Sequence, residues 1–268
     1  MQIIIPMTGY GSRFVEAGYK NLKPFIEIEG RSILEWIVKG MFPNEKNFIF
    51  VCRQEHLNTI ENMREKLLTI CPTAKIHSIG NWVKKGPVYD VLTAEKLIDN
   101  EIPAIINYCD FYMNWNWAEF KKNVIARNCE GSVPCYTGFH PHLIPEKNLY
   151  ATCKTDENED LIEIKEKFSF FNDKTKNLFS PGIYYFKTGN LLKKYCQKLV
   201  DSDQHINGEY YASLPYNFMV NDGLKVWIPS NVKYFCQWGT PFDMQESVFW
   251  IKTIKEVIKN EHINSNGR

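Results

Sequence analysis

The sequence predicts an α/β protein with a mainly parallel central sheet and antiparallel additions in its second half. Three observations carry this. Short apolar runs alternate with helical patterns through the first half. The alternation repeats about every 30 residues, the length of a strand–helix–strand unit. The first strand runs directly into a glycine-rich loop, at the strand end where open α/β sheets bind ligands.

Each element has a local reason. Ile3 to Ile5 is apolar without a break, as in a strand covered on both faces. Ile33 to Met41 reads as a helix, Phe48 to Cys52 as the second strand and Glu55 to Ile70 as the second helix. Lys75 to Ile79 is the third strand and Tyr89 to Ile98 a helix; Ala104 to Cys109 is the fourth strand and Trp117 to Ala126 a helix. Such alternation implies right-handed crossovers. After Gly131 the pattern changes. Ser132 to Tyr136, Tyr150 to Lys154, Leu161 to Ile164 and Ile183 to Phe186 read as strands separated by turns. Tyr210 to Val220 reads as a helix, Lys225 to Ile228 and Val232 to Cys236 as strands, and Phe242 to Lys259 as an amphipathic closing helix. Residues 264–268 are expected to fray. No change in composition marks a linker, so 1–268 reads as a single domain.

The composition excludes several classes. At 44% hydrophobic, 268 residues are ample for a full core. The 32 basic and 31 acidic residues leave a net charge of +1, which gives no global field for nucleic acid or an anionic membrane. No apolar stretch is long enough to span a bilayer, and the N-terminus lacks the regions of a signal peptide. Eight cysteines without a CxxC pair fit reduced thiols in a cytoplasmic enzyme. His140 and His142 flank Pro141 but have no third ligand at suitable spacing, which favours a polar loop.

The sharpest signal is Met7-Thr8-Gly9-Tyr10-Gly11-Ser12-Arg13-Phe14, followed by Leu22-Lys23-Pro24-Phe25. Glycines let backbone N–H groups approach a phosphate. Arg13 offers a planar, bidentate grip on phosphate oxygens, and Lys23 a second, mobile charge. The loop is not a P-loop, which needs GxxxxGK[ST], nor a dinucleotide fingerprint, because Phe14 occupies the third glycine position. The fourth strand ends on Asp110. A carboxylate there suits Mg²⁺, which takes one or two protein carboxylates together with substrate phosphates. Asp110 shares an edge with the glycine loop if both strands are central and parallel.

These residues resemble the sugar-phosphate nucleotidyltransferase family. The resemblance rests on the strand–GxGxR opening with Lys23-Pro24, on Ile28-Glu29-Gly30-Arg31-Ser32-Ile33-Leu34-Glu35, and on the Asp110 strand end. It extends to Ile164-Lys165-Glu166-Lys167, Ser180-Pro181-Gly182-Ile183-Tyr184-Tyr185-Phe186, and the turn Gln237-Trp238-Gly239-Thr240-Pro241-Phe242-Asp243. It implies a Rossmann-like core, with 1–130 holding nucleotide and metal and 131–262 the acceptor. Within the family, the opening loop and the Gln-Trp-Gly-Thr-Pro turn are most similar to cytidylyltransferases of capsule phosphoramidate assembly. That implies CTP as donor, L-glutamine phosphate as acceptor and Mg²⁺ as cofactor, with self-association left open. Sugar-1-phosphate or choline-phosphate nucleotidyltransferases are the alternative. A catalytically silent nucleotide sensor is disfavoured, because Arg13, Lys23 and Asp110 are all present.

The resemblance also implies roles. Met7, Thr8, Gly9, Gly11, Ser12 and Arg13 would hold the phosphates, Lys23 would sit near the α-phosphate, and Asn81 and Gly86 would meet the base. Glu166, Lys167, Glu209 and Tyr210 would meet the acceptor, although Glu209 could instead complement a helix dipole. Asp110 would bind the metal with Gln237, which stands where many family members have a second aspartate. Asp243 reads as the N-cap of the final helix.

Overall fold

The computed structural model describes residues 1–144 and 146–265. In chain order its strands are β1 (Gln2–Pro6), the short hairpin β2 (Glu27–Ile28) and β3 (Arg31–Ser32), β4 (Phe48–Arg53), β5 (Lys75–Ile79), β6 (Ala104–Asn107), β7 (Phe111–Asn114), β8 (Gly131–Ser132), β9 (Ala151–Thr155), β10 (Leu161–Glu166), β11 (Leu178–Phe179), β12 (Ile183–Phe186), β13 (Val226–Trp227) and β14 (Tyr234–Gln237). The central sheet has seven strands in the order β13-β8-β12-β6-β1-β4-β5. β5, β4, β1 and β6 are parallel; β12 is antiparallel to both its neighbours, and β13 is parallel to β8. A three-stranded antiparallel sheet, β10-β9-β11, and the antiparallel pair β14-β7 are the additions in the second half.

The strand order places the site. From β1 the chain winds outward to β4 and β5, then returns to the other side of β1 as β6. The order therefore reverses between β1 and β6, and a crevice opens beyond their carboxyl ends. β1, β4 and β6 are buried along their whole length, as their unbroken apolar runs require. β5 is the edge strand and half exposed, so it is not covered on both faces. Alternate side chains feed two cores: Ile3 and Ile5 pack on one face of the sheet, Ile4 and Ile106 on the other.

Several elements differ from the sequence reading. The second helix is broken into Gln54–Thr59 and Met63–Ile70, with Asn62 in the left-handed region between them. The Tyr210–Val220 helix starts only at Pro215: the Tyr210 N–H and carbonyl bond to the Lys85 carbonyl and the Val88 N–H, and residues 212–214 form a turn. The helix Gly189–Asp201 was not anticipated. Its signals are a Thr188 side-chain cap and apolar residues Leu192, Tyr195, Cys196 and Leu199 on one buried stripe. The closing helix runs over Pro241–Ser265, past the expected end; of the expected frayed tail, residues 266–268 lie outside the described residues. Its N-cap is Thr240, whose hydroxyl accepts from the Asp243 N–H, while the Asp243 carboxylate accepts from the Thr240 hydroxyl. Asp243 is thus the third helical residue and not the cap itself. All eight cysteines are free. No helix among the described residues is long and apolar enough to cross a membrane.

Candidate active site

Two cavities adjoin at the crevice. One, of about 270 Å³, is walled by the first loop (Thr8, Gly9, Tyr10), by Trp82 to Asp90 and by Glu209. The other, of about 330 Å³, is walled by Arg13, Tyr150, Glu166, Lys167, Gly182 and Gln237, among others. Lys23, Tyr108, Asp110 and Tyr211 line both. The shared rim carries an ion pair, with Lys23 Nζ 3.0 Å from Asp110 Oδ2. Asp110 therefore faces the same edge as the glycine loop. Burial pulls the Lys23 ammonium's pKa down, but attraction to Asp110, together with a contribution from Cys109, leaves the net shift upward. Lys23 is thus held as a cation where phosphates would enter.

The glycine loop stands beside these groups. Gly11 sits at φ 64°, in the left-handed region, and starts the short helix Ser12–Glu16. At Gly9 an added Cβ would meet nothing within 4 Å. No protein contact requires glycine at position 9. The other side of the rim is fixed by the late turn. The Trp238 N–H donates to the Asp110 carbonyl at 2.9 Å, and an added Cβ at Gly239 would lie 3.7 Å from Asp110 Oδ2. Gln237, in β14, donates through Nε2 to Asp243 Oδ2 at 2.8 Å, and its Oε1 is buried without a partner among the described residues.

Beyond the rim, Glu166 is held by the Ser213 hydroxyl, and burial pushes its carboxyl up to about 7. Lys167 has φ 56°, an arrangement that costs a non-glycine residue about 1–2 kcal/mol. That backbone turns its ammonium into the cavity, 3.1 Å from the Tyr211 hydroxyl. The Glu166 shift has a testable sign. The folded carboxyl binds its proton more tightly than the unfolded one, so native stability falls as pH rises from the ordinary glutamate range near 4.5 through about 7. In Glu166→Gln this loss is absent. The difference in Tm between variant and wild type, read by scanning calorimetry, is expected to move in favour of the variant between pH 5 and pH 8. A difference that stays flat over that range would count against a buried, proton-holding Glu166.

The expected site residues are placed as follows. Thr8, Gly9, Gly86 and Glu209 line the smaller cavity, and Arg13, Glu166, Lys167 and Gln237 the larger. Glu209 precedes no helix; it pairs with Lys84 at 2.8 Å. Five residues lie elsewhere. Gly11 caps the first helix and is on neither wall. The Met7 side chain is 1% exposed in the core, so only its backbone follows the loop. Ser12 is an exposed first helical residue, on neither wall. Asn81 is exposed and off the wall, where its neighbour Trp82 stands instead. Tyr210 turns its hydroxyl to Asp203 at 2.7 Å, and Tyr211 takes its place in both cavities. Tyr108, Trp82, Asp90 and Tyr211 were not anticipated. Tyr108 had a legible signal, since it falls two residues before Asp110 at the same strand end. His140 and His142 pack against Tyr136 in an aromatic cluster, with the Tyr136 hydroxyl and His142 Nε2 2.8 Å apart. Burial drops His142 to about 3, which keeps it neutral.

No protein-family model matches the chain, and no curated protein matches it in sequence. Solved structures do match in fold. A nucleoside-diphosphate-sugar pyrophosphorylase from Vibrio cholerae RC9 is similar over 92% of this chain and 99% of that one, at 20% identity and a TM-score of 0.74. The inositol-1-phosphate CTP transferase from T. maritima is similar over 95% and 96%, at 15% identity and a TM-score of 0.68. A UDP-glucose pyrophosphorylase complexed with UDP-glucose is similar over 94% and 98%, at 16% identity and a TM-score of 0.70. The chain therefore has the Rossmann-like nucleotidyltransferase fold over nearly its whole length.

Proposed function

We propose that this protein is a nucleotidyltransferase that moves a nucleoside monophosphate from an NTP to a small phosphorylated acceptor, releasing pyrophosphate. The observation that carries the reading is the pair of adjoining cavities with Lys23 and Asp110 on their common rim. A donor in the smaller cavity and an acceptor in the larger would meet at that rim. The finer reading is CTP as donor and L-glutamine phosphate as acceptor, the reaction of CTP:phosphoglutamine cytidylyltransferase in capsule phosphoramidate assembly. It is supported by the opening loop and the Gln237-Trp238-Gly239-Thr240-Pro241 turn. The inositol-1-phosphate CTP transferase of T. maritima shows that this fold hosts a CTP-dependent transfer.

In this mechanism an acceptor phosphate oxygen forms a bond to the α-phosphorus while the bond to the departing pyrophosphate breaks. The nucleophile is already ionised near neutral pH, because a phosphate monoester's second pKa is about 6. No general base is needed, so the protein's task is to hold two repelling anions in line and offset their charge. Amides of the Gly9–Gly11 loop and the Lys23 ammonium grip the donor phosphates. Arg13, expected at the donor phosphates but lining only the larger cavity, and Lys167 meet the acceptor phosphate.

The residues present fit a magnesium ion. Asp110 is about one-third exposed at the rim, and the Gln237 amide stands near it: a Cβ at Gly239 would lie 3.7 Å from Asp110 Oδ2 and 3.9 Å from Gln237 Nε2. Asp110 with Gln237 would hold Mg²⁺, which neutralises phosphate charge when bound. A choline-phosphate acceptor has one observation in its favour. Tyr108, Tyr150, Tyr184, Tyr211 and Phe235 line the larger cavity, and such faces suit a quaternary ammonium.

The test is pyrophosphate release with Mg²⁺, each of the four NTPs in turn, and phosphoglutamine, choline phosphate and hexose-1-phosphates as acceptors. Turnover confined to CTP and phosphoglutamine is the expected result. Turnover with a hexose phosphate or choline phosphate instead moves the assignment to that acceptor, and no release with any pair removes the proposal.

A further inference from the structure

Asp90 is a carboxylate that the chemistry above does not use. It sits in the first turn of the helix Pro87–Thr93, is 2% exposed, and forms part of the wall of the donor cavity. Its hydrogen-bond donors are both neutral: the Thr8 hydroxyl on Oδ2 and the Trp82 indole N–H on Oδ1, the latter at 2.9 Å. The cations of the same wall are engaged elsewhere, Lys23 with Asp110 and Lys84 with Glu209. Burying a carboxylate whose direct partners are both neutral is costly, and the nearby Arg53 charge offsets only part of it. Here burial pushes its pKa up to about 6. Two carboxylate oxygens can accept about four hydrogen bonds, so acceptor capacity remains toward the cavity.

A carboxylate is the wrong group for triphosphate, which it repels. It belongs at the donor's uncharged end. Aromatic faces stand beside it for that purpose. Tyr10 is 54% exposed and packs edge-on against Trp82 with centroids 5.4 Å apart; the Arg53 guanidinium lies over the Tyr10 ring at 3.6 Å. A stacking surface next to an anionic acceptor is a base-reading pocket.

Resting on the nucleotidyltransferase reading, we infer that Asp90 sets base specificity: its carboxylate accepts from the exocyclic amino group of the donor's base and disfavours the oxo analogue. Cytosine's 4-amino group projects clear of the ring. Uracil puts a carbonyl oxygen at that position, and its one imide N–H is flanked by two carbonyls that repel a carboxylate. Adenine's 6-amino group shares the chemistry, so the test includes it.

The measurement is binding of CTP, UTP, ATP and ITP to the intact protein with Mg²⁺ and no acceptor, by isothermal titration calorimetry. Wild type is expected to hold CTP over UTP, or ATP over ITP, by about 10- to 100-fold, the scale set by one buried charged hydrogen bond. In Asp90→Asn, whose amide offers a donor to the oxo group, the ratio is expected to fall to within about threefold. A second measurement needs no variant. As pH drops through about 6, Asp90 gains a proton and becomes a donor, so the wild-type ratio narrows. Arg53 and Glu209 act on Asp90 electrostatically, with Lys23, Lys84 and Asp110 around the same cavity; triphosphate protonation cancels because the paired nucleotides carry the same phosphates. Binding with a ratio unchanged in Asp90→Asn, or constant from pH 7.5 to pH 5, overturns the Asp90 inference alone. If no triphosphate binds, both it and the proposed function fall.

Discussion

Asp110→Ala is expected to cut turnover by at least 10²–10³-fold at saturating NTP and acceptor, and Lys23→Met by a similar factor, the scale of losing one preorganised charge-stabilising group. The geometry explains why the losses should appear mainly in kcat. Both side chains stand at the junction of the cavities, where charge redistributes as the α-phosphorus changes partners. Each also holds the other in place across 3.0 Å before any ligand arrives. Removing either leaves its partner without its ion-pair mate, so part of each single effect is misplacement of the survivor. The double variant should therefore lose less than the product of the single losses. Stability should move little, because a part-exposed ion pair contributes at most about 1 kcal/mol. Single-turnover pyrophosphate release reads the chemical step, and Tm by scanning calorimetry guards against misfolding. Near-wild-type turnover in either folded variant would remove the pair from the chemistry.

That junction was largely legible in the sequence. The unbroken apolar runs at Ile3 and Ala104 required buried central strands, and the alternation of strands with helices required most of them to be parallel. Once parallel and adjacent, β1 and β6 had to deliver the glycine loop and Asp110 to one rim. What stayed hidden were side-chain directions in segments without a period. In the loop after β5 nothing in the sequence sets which of Asn81 and Trp82 turns inward; the hydrogen bond from Trp82 to Asp90 settles it. Tyr210 and Tyr211 are chemically equivalent neighbours, and reading them as helical left their facing undetermined. The backbone there is not helical, and the two side chains part, Tyr210 to Asp203 and Tyr211 to the cavities. Asp90 carried no signal in the sequence, because its partner Thr8 is 82 residues away.

Gly86→Ala is the second substitution with a large expected effect, because that glycine sits where the two halves of the pocket are pinned together. At φ 89° its backbone is one that side-chain-bearing residues rarely adopt. An added Cβ would stand 2.7 Å from the Tyr210 nitrogen and 2.9 Å from its carbonyl oxygen. Neither atom can retreat freely. The Tyr210 N–H donates to the Lys85 carbonyl at 2.8 Å, and the Tyr210 carbonyl accepts from the Val88 N–H at 3.1 Å. These two bonds clamp the loop carrying Trp82 and Lys84 to the segment carrying Glu209 and Tyr211, so the wall of the donor cavity depends on them. Strain of about 1–3 kcal/mol and the weakening of two buried hydrogen bonds at about 1 kcal/mol each give roughly 3–5 kcal/mol. In a chain of this size that lowers Tm by roughly 10 °C. The KM for NTP should rise more than the KM for acceptor, because Gly86 lines only the smaller cavity. Gly80→Ala is the matched control. Its backbone is not left-handed and its Cβ would meet nothing within 4 Å, so Tm and both KM values should hold. If Gly86→Ala behaves like Gly80→Ala in calorimetry and kinetics, the clamp does not shape the donor site.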